Sequence, residues 1–151
     1  MIRHIFFTVA AIVMTGCQYD PYHRLYTARE PNDGDIAGMY ILDHYCLPQG
    51  IRIEHRDIVV DLHSDGTFTA ANIPPRQTDI PDTSFFSSLV TGTGRWETST
   101  IGSDTIWGVC LRSPDTSLST ARLTGTKAPY GLIFTLGDPD CGYAVILKRK
   151  Q

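Results

Sequence analysis

Residues 58–70 read Ile58-Val59-Val60-Asp61-Leu62-His63-Ser64-Asp65-Gly66-Thr67-Phe68-Thr69-Ala70, and the fold turns on how this stretch pairs with itself. Ile58, Val60 and Leu62 alternate with Val59, Asp61 and His63, the period of two expected of a half-buried strand. Ser64-Asp65-Gly66 then breaks the pattern, and Thr67 to Ala70 resumes it. A two-residue turn at Asp65-Gly66 would set His63 opposite Phe68 and Leu62 opposite Thr69. A three-residue loop with Gly66 in the left-handed conformation sets Leu62 opposite Phe68 and Val60 opposite Ala70 instead. Only the second register gathers the apolar side chains on one face, so it is the one expected.

Working outward, the same kind of signal recurs. Short apolar runs lie at Gly38–Leu42, Thr105–Leu111, Leu118–Thr124, Leu132–Leu136 and Tyr143–Leu147, and Gly92–Glu97 is a Gly-led approach to a strand that carries one large aromatic. Turn residues separate the later ones: Gly102-Ser103-Asp104, Ser113-Pro114-Asp115, Gly125-Thr126 and Gly137-Asp138-Pro139-Asp140. Thr83 to Leu89, inside a Pro-rich link from Pro74 to Thr91, is the one candidate helix. Eight short strands in sequence predict an all-β, antiparallel up-and-down meander. Closing it into a barrel removes both exposed edges.

The chain has 151 residues, enough for one domain with a core of its own. With 42% hydrophobic and 19% charged residues it has the composition of a folded globular protein. A net charge of −3 leaves no basic excess to neutralise phosphates, so nucleic acid is not an expected partner. No apolar run approaches the roughly 20 residues of a spanning helix.

The N-terminus begins Met1-Ile2-Arg3-His4, continues with an apolar run from Ile5 to Met14, and reaches Thr15-Gly16-Cys17. A positive start, a short apolar stretch and small residues before a cut are the parts of a secretory signal. Met14-Thr15-Gly16-Cys17 resembles the lipobox of bacterial lipoproteins. The resemblance implies a signal peptide at 1–16, cleavage before Cys17 and lipidation of Cys17, with the membrane as a partner through that lipid. Gln18 stands where Asp commonly retains such proteins at the inner membrane, so the resemblance further implies an outer-membrane anchor and a periplasm-facing domain. Residues 17–35 are expected to be the lipidated cysteine and a flexible tether, because residues 18–35 are polar and aperiodic apart from Tyr19, Tyr22 and Tyr26. The barrel domain is expected at 36–151.

Asp65-Gly66-Thr67-Phe68 and Gly92-Thr93-Gly94-Arg95-Trp96 together resemble a motif of lipocalin-like bacterial lipoproteins. Leu136-Gly137-Asp138-Pro139-Asp140 is similar to a stretch in a group of uncharacterised secreted proteins. The resemblance implies a small lipocalin-like (calycin-like) barrel and supplies no activity.

Three cysteines remain in the mature chain: Cys46, Cys110 and Cys141. An oxidising compartment predicts one disulfide and one free thiol. Eight alternating strands put all three at one end, and closure makes strands one and eight neighbours. Cys46–Cys141 is therefore the expected pair, Cys46–Cys110 the alternative if a strand is miscounted, and three small buried thiols the bland outcome. Trp96, Trp107, Phe68 and Phe134 are candidates to line a ligand cavity, with core filling the simpler role. His44, His55 and His63 with Cys46 match no compact metal motif, and no metal or cofactor is expected. Asp138-Pro139-Asp140-Cys141-Gly142 resembles the start of a calcium loop, but a strand-connecting turn explains it more simply. His44 lies near Cys46 without the rest of a nucleophilic site, so no catalytic residue is assigned. The expected function is a non-enzymatic, lipid-anchored envelope lipoprotein whose barrel binds an apolar ligand or a periplasmic protein. An enzyme with a non-obvious site, or an inhibitor or immunity-type lipoprotein, is the alternative.

Overall fold

A computed structural model describes residues 19–52, 57–76, 88–102, 105–116 and 118–151. The expected signal peptide at 1–16, Cys17, His55 and most of the candidate helix at Thr83–Leu89 lie outside these residues. The eight strands are β1 (Gly38–Cys46), β2 (Val59–Leu62), β3 (Thr67–Ile73), β4 (Val90–Ile101), β5 (Ile106–Arg112), β6 (Ala121–Thr124), β7 (Gly131–Thr135) and β8 (Ala144–Arg149). Each pairs antiparallel with the next, and β8 pairs with β1 to close the barrel. The weakest signal, Leu118–Thr124, shortens to a four-residue strand, while Leu118 forms an isolated bridge with Pro75.

The β2–β3 hairpin has the apolar register. Leu62 stands opposite Phe68 and Val60 opposite Ala70. Gly66 has φ +81°, the left-handed conformation this loop requires and a β-branched side chain resists. The Asp65 carboxylate fastens the loop by accepting from the Thr67 amide at 2.9 Å. From here the inward positions run round the barrel: Tyr40, Val60, Leu62, Phe68, Trp96, Val109, Leu123, Leu132, Phe134, Val145 and Leu147 are buried and form one core. Each such side chain, taken fully from water, contributes roughly 1.5–3 kcal/mol before entropy is counted.

β4 is the longest strand because it serves two neighbours in succession. Val90 to Arg95 pair with β3, and Arg95 to Ile101 pair with β5. At the handover Gly94 faces Phe68, and a Cβ there would lie 2.0 Å from the Arg112 carbonyl oxygen. The Gly92-Thr93-Gly94 run thus reflects close backbone approach as well as a strand start.

The described part of the expected tether is not free chain. Asp20 to Thr27 form a strap laid on the outer face of the barrel, and Tyr26 and Thr27 are buried. The Tyr22 hydroxyl donates to the Gly142 carbonyl at 2.8 Å, and the Tyr26 hydroxyl donates to Asp20. Tyr26 covers an outward apolar patch of Ile133, Ala144 and Ile146, with Tyr22 packed against it. The Arg122 guanidinium lies 5.3 Å over the Tyr26 ring. β5 and β6 share only the pairs Gly108–Arg122 and Val109–Ala121. Thr27 enters where they part: its amide donates to the Leu123 carbonyl, and its carbonyl accepts from the Trp107 amide, each at 2.9 Å. Helix α1 (Asp33–Ile36) then closes that end of the barrel, with Ile36 fully buried and its carbonyl accepting from the Tyr40 hydroxyl at 2.6 Å. The backbone demands of a splayed strand pair, not local periodicity, order this segment.

Candidate functional site

Phe68, Phe134 and Trp96 are interior core residues, and Trp107 is half-buried against the same core. The Trp96 indole N–H donates to the His63 carbonyl at 2.8 Å, which pins the ring in place. Tyr40, Phe68 and Phe134 are each at most 1% exposed. Three of the four aromatic candidates therefore fill the barrel, Trp107 packs against the same core, and none of the four lines the depression beside the strap. That depression is a groove of about 560 Å³ on the outer face of β7, β8 and β1, beside the strap.

Two local features open the groove. Gly131 on β7 stands opposite Lys148 and leaves that position without a side chain. On β1, Leu42 pairs with Leu147 and His44 with Ile146, so Asp43 is an extra residue in a β-bulge. Ile133 and Ile146 supply an apolar floor, Leu25 of the strap forms one wall, and Asp43 and His44 form the other.

The polar rim is mostly cationic. Asp43 accepts from Lys148 Nζ at 2.9 Å and meets His44 Nδ1 at 2.8 Å. The Lys148 ammonium, and then the His44 ring, hold the Asp43 carboxyl below the usual carboxylate range. Arg149 donates to the Asp35 and Ala37 carbonyls, which leaves its charge uncompensated. The Arg24 guanidinium has no hydrogen-bonding or ionic partner among the described residues. These pairs are exposed and contribute at most about 1 kcal/mol each, so the rim can rearrange around an occupant at small cost.

The three described cysteines, Cys46, Cys110 and Cys141, are free thiols in the structure, against the expectation of a disulfide. Cys46 is exposed at the end of β1 opposite Ala144, and Cys141 is exposed in the turn that precedes β8. Tyr22 neighbours Cys46 and donates to the Gly142 carbonyl: burial first, and then Cys46 and Asp20, raise its phenol above the ordinary value. Cys110 is half-buried on the outer face of β5, with its sulfur 3.1 Å from Ser99 Oγ. In a closed ring of eight strands β5 is four places from β1 in either direction, which separates Cys110 from Cys46. The Asp138–Gly142 stretch is a turn, in which the Asp138 carboxylate accepts from the Asp140 amide at 3.0 Å and Gly142 has φ +69°. His63 lies on the β2–β3 loop, 3.6 Å from Asp61, and is not among the residues that line the groove with His44.

Compared with protein-family models, with curated proteins and with solved structures, the chain matches none.

Proposed function

We propose that this is a lipid-anchored envelope lipoprotein whose barrel is a solid, non-enzymatic scaffold that binds a protein partner with its outer face. Anchoring rests on the Met14-Thr15-Gly16-Cys17 lipobox and the apolar run before it. One observation favours a protein partner over an apolar ligand: the described interior is packed with aromatic and aliphatic side chains, while the open, apolar-floored groove is external. A lumen filled in this way leaves little room for a ligand, whereas an apolar floor with a charged rim suits a macromolecular contact.

The test is purification of the intact lipoprotein from its own envelope after mild cross-linking, beside Cys17→Ala and a His44→Ala, Lys148→Glu groove variant. The reading expects the parent in the membrane fraction after a high-salt wash, and Cys17→Ala not to be retained there. It also expects a cross-linked protein that the groove variant loses while remaining folded. A stoichiometric apolar small molecule in the purified protein, retained by the groove variant, would replace this reading with a ligand carrier.

A further inference from the structure

We propose that the outward ridge from Tyr19, just before the strap, to Leu25 within it lies directly on the phospholipid surface that carries the anchor. The proposal rests on the lipidation of Cys17 and assigns the face of the barrel that meets the bilayer. Docking of the strap shortens the free chain. Asp20 is already held to the barrel, through the Tyr22 amide at 2.9 Å and the Tyr26 hydroxyl at 2.8 Å. Cys17 lies three residues earlier, a reach of at most about 11 Å at full extension. A compact domain of this length has a radius of roughly 18 Å. The tether is thus shorter than the body it holds, so the barrel cannot turn an arbitrary face to the membrane.

The chemistry of the ridge matches that position. Tyr19 is 73% exposed and Leu25 54%, the two most exposed large apolar side chains among the described residues. Arg24 lies beside both, since it shares one depression with Tyr19 and the groove with Leu25. The carboxylate of the ridge, Asp20, is turned inward onto Tyr26. What faces outward is a phenol, an imidazole at His23, an unpartnered guanidinium and a leucine. Tyrosine and arginine at headgroup level, with a leucine reaching the acyl boundary, form an interfacial contact, and anionic phosphates attract the cation. The groove then opens beside the bilayer, where a membrane-associated partner would meet it.

The experiment uses the full-length lipidated protein in phosphatidylethanolamine–phosphatidylglycerol vesicles with brominated acyl chains. A tryptophan is introduced at Leu25→Trp or, on the distant β2–β3 loop, at Asp65→Trp. Trp96 and Trp107 contribute the same background to both. Leu25→Trp is expected to lose about half of its added emission relative to unbrominated vesicles, as an interfacial side chain seated several ångströms deep should. Asp65→Trp is expected to stay as bright as before. Equal brightness of both variants on protein that floats with the vesicles would overturn the membrane-facing ridge while leaving the anchor intact. Protein that fails to float with the vesicles would overturn the anchor reading and the ridge with it.

Discussion

The Thr27 amide donates to the Leu123 carbonyl at 2.9 Å, and Thr27 Oγ1 donates to the Gly125 carbonyl at 2.8 Å. Through these bonds a residue outside the eight strands completes the ladder between β5 and β6. Thr27 is 1% exposed, so water cannot replace what a substitution removes. Thr27→Ala is expected to cost about 1 kcal/mol, because the part-buried Gly125 carbonyl loses its donor. Tyr26→Ala should cost about 3 kcal/mol or more, since it uncovers the patch of Ile133, Ala144 and Ile146 and removes the partner of Arg122. Urea unfolding followed by tryptophan fluorescence measures both. Near-parental midpoints would mean that the strap is only laid on the barrel and does not help to hold it together.

The two glycines with geometric reasons behave differently on substitution. Gly66→Val opposes a φ of +81° in an exposed loop, and a loss of about 1 kcal/mol or more is expected. Gly94→Ala places a methyl group against the Arg112 backbone, where no side-chain rotation relieves the overlap. Its cost should be the larger, about 3 kcal/mol, in the upper range for overpacking. Thermal melts of the two variants rank them, and the reverse order would contradict the β4–β5 approach described above.

The barrel was legible because alternation of period two is a local signal, and because only one loop length at Ser64–Gly66 keeps Val60, Leu62, Phe68 and Ala70 on one face. The strap was not legible. Tyr22, Tyr26 and Thr27 stand among charged residues, and the bonds that order them reach far along the chain, to Leu123, to Gly125, 98 residues on, and to Gly142, 120 residues on. No local pattern encodes a gap between two distant strands. The groove was hidden for a related reason: it arises from a missing side chain at Gly131 and an extra residue at Asp43, neither of which forms a motif. The four aromatic candidates fit a cavity less simply than a core, and their burial places them with the core.

Ring order constrains the cysteines even though all three are free thiols here. Cys46 pairs with Ala144, and Cys141 stands three residues before Ala144 at the same end of the barrel. Cys110, four strands round the ring from Cys46, is occupied with Ser99 and Thr120. In protein exported through an oxidising compartment, Cys46–Cys141 is the expected linkage, and Cys110 should alkylate as a thiol. Closing a loop of about 95 residues would stabilise the barrel by up to about 4–5 kcal/mol on the chain-entropy account, less any strain. Peptide mapping of a non-reduced digest decides it. A Cys46–Cys110 peptide is incompatible with the strand order, and three alkylated thiols would remove the disulfide altogether.

Tyr40 sets an alkaline limit on the barrel. Its side chain is fully buried, and its hydroxyl donates to the Ile36 carbonyl at 2.6 Å. Burial pushes the phenol up to about 12, against a smaller lowering by Arg149. Tyr26 is shifted upward too, mainly by burial and by its bond to Asp20, with Arg122 opposing. A phenol raised in the folded state stabilises the fold fully below its unfolded value near 10, and that stability is lost as pH rises toward the folded value. The urea midpoint should therefore fall steadily between pH 10 and 12. Tyr40→Phe should be about 1 kcal/mol less stable at pH 7, since the Ile36 carbonyl loses its donor. Above pH 10 the variant should decline less steeply than the parent, because one of the raised phenols is gone. Parallel declines of parent and Tyr40→Phe would assign the alkaline sensitivity to Tyr26 and the strap, and would show that the Tyr40 hydroxyl is not as deeply held as its bond to Ile36 implies.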